Sequence, residues 1–113
     1  MDRKIKKYER FLRTLLTNYV AERATRKDST YQLVIDNKNH HLQVIRNGWD
    51  DDRLIHHFIF HFEIKSDGKI WIWVNKTDMD LGQELRLKGI PNSDIVLGFH
   101  PPYLRELSDY AVN

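Results

Sequence analysis

The sequence predicts an α+β domain, an antiparallel sheet of about four or five strands with a long N-terminal helix packed on one face. Three observations predict it. Apolar residues recur at steps of three and four over residues 3–25, the spacing of one helical face. From Tyr31 onward the spacing falls to two, as in half-buried strands. Turn-forming clusters, Asn37-Lys38-Asn39-His40 and Ser66-Asp67-Gly68, separate the β-type runs.

In the helix, Ile5, Tyr8, Leu12, Leu15, Leu16, Tyr19 and Val20 form the apolar stripe, with Asp2 placed to cap the N-terminus. Lys27-Asp28-Ser29 breaks the period. Tyr31 to Asp36 and Leu42 to Arg46 are neighbouring strands, and Asn47-Gly48 ends the second before Trp49. Asp50-Asp51-Asp52 is then an acidic loop.

Arg53 to Ile64 alternates most clearly. Leu54, His56, Phe58, Phe60, Phe62 and Ile64 point one way, and Ile55, His57, Ile59, His61 and Glu63 the other. Setting Lys65 opposite Lys69 pairs Ile64 with Ile70, Phe62 with Ile72 and Phe60 with Val74, one apolar face. The reverse face then pairs Glu63 with Trp71 and His61 with Trp73. Thr77 to Asp80 offer caps for a helix over Leu81 to Lys88, which Gly89 and Pro91 end. Ile95 to Phe99 reads as a short buried strand or one helical turn. Leu104 to Val112 carries no clear period.

The chain of 113 residues, 41% of them hydrophobic, forms a single domain over 1–113 with one modest core. Its charge content and lack of a long apolar run place it in solution, with no membrane span and no secretory leader. The absence of cysteine excludes disulfides and thiol chemistry and fits a reducing cytoplasm. The net charge of +2 is uneven. Residues 1–27 hold nine Lys/Arg against three acids, for +6, and the remainder holds nine against 13, for −4. Such a basic segment could face phosphate or an acidic protein, though solvated helix faces look alike.

Catalytic or metal constellations are lacking. His56 and His57 face opposite ways, and His57 and His61 share a face about 13 Å apart, too far to share a metal. Consecutive acids at 50–52 point in different directions rather than converging on Mg²⁺. Ser66, Ser93 and Ser108 lack a nucleophile elbow, and no phosphate-binding glycine motif occurs. The sequence therefore predicts no enzyme, no cofactor and no metal site.

The second sheet face, with Trp71, Trp73, Ile55 and Ile59, is too apolar to stand open. A second subunit, another protein or the C-terminal segment must cover it, and aromatic enrichment at interfaces favours a homodimer. His100-Pro101-Pro102-Tyr103 sets His100, Tyr103 and Arg105 on a stiff corner.

One block is more specific than any of these patterns. Gly89-Ile90-Pro91 is followed by Asp94-Ile95-Val96-Leu97-Gly98-Phe99-His100-Pro101-Pro102-Tyr103, and Trp49 and Lys69-Ile70-Trp71-Ile72 precede it. Together they resemble the XisI family, the fdxN-element excision controlling factors of cyanobacteria. The resemblance extends to Tyr8, Leu16 and Tyr19, to Asp36, His41, Gln43 and Gly48, and to Arg105, Ala111 and Val112. Leu42, Trp73, Asp78 and Leu107 depart from it, where Tyr, Gln, Glu and an aromatic residue are usual.

The resemblance implies an accessory, controlling role in programmed excision of a DNA element by site-specific recombination during heterocyst differentiation. It implies action beside a recombinase and through contact with a companion XisH-like protein, with Trp49, Trp71, Trp73, His100, Pro101, Pro102, Tyr103 and Arg105 as partner-binding candidates. The alternative is direct DNA binding by the basic helix, with Lys4, Lys7, Arg10 and Arg13 on phosphates.

Overall fold

The computed structural model describes residues 3–113, so Asp2, the expected cap, lies outside the described residues. Helix α1 (Arg3–Glu22) is followed by β1 (Ser29–Asp36), β2 (His41–Asp50), β3 (Arg53–Ile64) and β4 (Ile70–Asn75). Helix α2 (Leu81–Leu87), β5 (Ile95–Leu97) and a short helix α3 (Pro102–Arg105) complete the order. The strands lie in sequence order in one five-stranded sheet. β1 to β4 are antiparallel neighbours, whereas β5 runs parallel to β4. Helix α2 causes this difference: it carries the chain back along the sheet, so the next strand starts from the end where β4 began.

The helical stripe is buried as its period requires, with Ile5, Tyr8, Leu12, Leu16 and Tyr19 in the core. It packs on Leu42 and Val44 of β2, Phe60 and Phe62 of β3, and Ile70 and Ile72 of β4. Leu81 and Leu85 of α2 close the same core. Asp80 caps α2 by accepting from the Gln83 amide at 3.1 Å, and Gly89 takes φ 89° just beyond its end.

Two expectations about β2 give way. The strand does not end at Asn47-Gly48 but continues to Asp50. Gly48 allows the start of β1 to cross closely, since a Cβ there would lie 2.0 Å from the Asp28 carbonyl oxygen. The acidic loop is a tight turn in which Asp50 pairs with Arg53 and Asp51 takes φ 54°.

Two β-bulges correct the expected alternation. Val44 pairs with Phe60 and Ile45 with Phe58, which leaves Ile59 as an extra residue in β3. Ile59 is therefore buried beside Phe60, while Leu54, His56 and Phe58 are exposed on the opposite face. His57 and His61 no longer share a face, and Ile55 and Ile59 do not accompany the tryptophans. The second bulge lies in β4: Ile64–Ile70, Phe62–Ile72 and Glu63–Trp71 pair as expected, but His61 meets Val74 and Phe60 meets Asn75. Trp73 is the additional residue.

Candidate partner-binding face

With α1 and α2 on one side of the sheet, the other side divides into two regions. Over β4 and β5 the chain covers itself. Trp71 is 8% exposed and stacks on Trp73, with ring centroids 5.0 Å apart. The Lys65 ammonium lies 4.0 Å from the Trp71 ring centre, and the Arg105 guanidinium on α3 lies 5.1 Å from it. Gly98 passes so close that a Cβ would sit 3.1 Å from Trp71 Cε3 and 2.9 Å from Trp73 Cε3. Beyond α3, the Ala111 amide donates to Ile95 O at 2.9 Å, so the tail runs along the outer edge of β5. Of the covers expected over Trp71, a second subunit, another protein or the C-terminal segment, the last is the one present.

Over β1 to β3 nothing from the described residues lies on the sheet, and apolar side chains face solvent. Val34 is 41% exposed, Phe58 43%, Leu54 57% and Trp49 61%. Pairing places them side by side: Ile45 opposes Phe58, Trp49 opposes Leu54, and Val34 borders Gln43. Alternation along β2 puts Gln43, Ile45, Asn47 and Trp49 on this one side.

A polar chain marks the border between the regions. His41 Nδ1 and His61 Nε2 are 2.8 Å apart, and the Trp73 indole N–H donates to Glu63 Oε1 at 2.9 Å. The far carboxylate oxygen of Glu63 is 3.9 Å from His41 Nε2. Burial pushes the His61 imidazole below its ordinary value, and His41 adds to the shift while Glu63 opposes it. Spacing within β3 alone could not find this pair. Extending the β2–β3 register from the turn at Asp51 would have set His41 opposite Phe62, and only the bulge at Ile59 brings it opposite Glu63, diagonal to His61. Among the described residues, no three His, Asp or Glu side chains form a group that could hold a metal ion.

The remaining candidates are scattered. Trp49 lies at the opposite end of β2 from His41, about 26 Å along the strand, so it cannot join Trp71 and Trp73 in one site. Pro101 and Pro102 start α3, Tyr103 on it is 69% exposed, and His100 packs its ring 4.6 Å from that of Phe99. The four cations proposed for phosphate do not form one stripe. At about 100° per helical residue, Lys4 and Arg13 stand on opposite sides of α1. Lys4 pairs with Asp94 at 3.4 Å, and Arg13 donates to Asn37 at 3.4 Å.

A family model described as XisI protein matches residues 1–112. The chain belongs to the XisI family. Its fold is similar to that of a XisI-like protein from Anabaena variabilis, at 39% identity and a TM-score of 0.90, over 96% of this chain and 99% of that one. It is also similar to the fdxN element excision controlling factor XisI from Anabaena variabilis, at 30% identity and a TM-score of 0.84, over 97% and 99% of the two chains. No curated protein matches. Among the described residues, no helix is long and apolar enough to cross a membrane.

Proposed function

We propose that this XisI-family chain is an accessory factor that controls excision of a DNA element by binding a companion XisH-like protein on the open face of β1 to β3. The observation that carries this reading is the exposed row of Val34, Phe58, Leu54 and Trp49. An apolar strip on a rigid sheet favours burial against a partner, because removing it from water is worth about 25 cal/mol per Å². Asn47, His56 and Gln43 flank the strip with hydrogen-bonding groups that can set the orientation of a partner. The name of the Anabaena relative, an excision controlling factor, agrees with a chain that regulates by contact rather than by cleaving a strand.

Co-purification tests the proposal. The XisH-like protein should stay with the wild-type chain at micromolar concentration and be lost from Phe58→Arg, which places a charge in the middle of the strip. Self-association through this same face would occlude it, so a stable homodimer that excludes the XisH-like protein would contradict the reading.

A further inference from the structure

A second surface lies across the core from the open sheet face. Helix α1 carries two rows. The buried row packs on the sheet, and Lys7, Phe11, Thr14 and Asn18 recur at steps of four, three and four on its other flank. That spacing is the one by which helices pack on helices. The row forms one wall of a groove of about 410 Å³, with Leu15 in its floor and Lys88, at the end of α2, as the opposite wall. The Lys88 ammonium lies 5.9 Å from the Phe11 ring centre.

Charge in this groove has one sign. Lys7, Arg10 and Lys88 line it, no acidic side chain does, and none of the three forms an ion pair with a described residue. We propose that this groove is a docking site for an acidic amphipathic helix of about three turns, supplied by another protein. Apolar side chains of that helix rest on Phe11 and Leu15, and its carboxylates meet Lys7, Arg10 and Lys88.

Other occupants fit less well. A second copy would bring its own strongly basic α1 against this one, like charge on like. Duplex DNA needs cations without an apolar floor. It would also meet Asp94 beside Lys4 and a body whose net charge after residue 27 is −4. The inference stands apart from the XisH-like proposal, since the groove and the open face lie on opposite sides of the sheet.

The test uses a synthetic Glu/Leu amphipathic peptide of about 18 residues, its Lys-for-Glu counterpart, and a duplex DNA. Binding is followed by NMR shifts of the isotope-labelled full chain. The acidic peptide should move signals of the α1 flank and Lys88 and leave Phe58 unmoved, and the basic peptide should not bind. Reversing three exposed charges together (Lys7→Glu, Arg10→Glu, Lys88→Glu) should weaken binding by about tenfold or more, with the melting temperature little changed. Absence of peptide binding, binding indifferent to the charge reversal, or displacement of the peptide by duplex DNA would overturn the proposal.

Discussion

Tyr8 and Asp94, 86 positions apart, are joined by a 2.6 Å hydrogen bond from the phenol to the carboxylate. Lys4 completes the contact from the same helix, its ammonium 3.4 Å from the same Asp94 oxygen, Oδ2. The bond ties α1 to the turn that launches β5, and thus ties the two ends of the fold together. Burial, then the hydrogen bond and charge of Asp94, hold the Tyr8 phenol well above its ordinary value of 10.0.

Tyr8→Phe should therefore cost about 1.5–3 kcal/mol, the worth of a hydrogen bond to a charged group, read by urea unfolding. The sign of the shift adds a second check. A raised phenol contributes stability that is complete below pH 10.0 and is lost as pH rises further, a loss that Tyr8→Phe should not show.

The two tryptophans of greatest contrast are Trp71, buried under α3, and Trp49, exposed on the open face. Trp71→Ala should cost about 3–5 kcal/mol, because it empties a packed site. Trp49→Ala should stay within about 0.5 kcal/mol, because it removes only exposed surface. Thermal unfolding of the pair separates the two regions of the sheet face.

Gly98→Ala should destabilise by about 1–3 kcal/mol through overpacking. The added methyl meets Trp73 Cε3 at 2.9 Å, Trp71 Cε3 at 3.1 Å and the Ile72 carbonyl oxygen at 3.2 Å, none of them the end of a flexible chain. Near-ultraviolet circular dichroism should show the stacked indole pair disturbed.

Much of this was legible from residue types alone. Helix α1 was, because every third or fourth position agreed, and so was the pairing of Ile64 with Ile70 and Phe62 with Ile72, fixed by the Gly68 turn. The bulges at Ile59 and Trp73 were not. An extra residue leaves the composition of an alternating run unchanged while reversing the side on which everything before it falls, and Phe58 and Ile59 exchanged faces for that reason. The parallel course of β5 was hidden too, since a run of three apolar residues carries no direction. The cover over Trp71 came from Leu104–Val112, a segment without a period, whose positions are set by contacts with Trp71 and Ile95 rather than by local preference.

The depressed His61 imidazole gives a pH dependence of definite sign. The unfolded chain takes up a proton near 6.5, and the folded chain does so only at lower pH, held back by burial and by His41. The His61 contribution to stability should be flat above pH 6.5 and fall as pH drops from there to the folded value, levelling below it. Urea midpoints across this range should show the fall in the wild type and lose much of it in His61→Gln.

The central claim is that the open face of β1 to β3 receives an XisH-like protein. Amide hydrogen exchange of this chain, with and without that protein, tests it most directly. The account predicts added protection across β1 to β3, centred on Val34, Ile45 and Phe58, and little change along the outer flank of α1. Protection confined to α1 or α3, or no change at micromolar concentrations of both proteins, would contradict it.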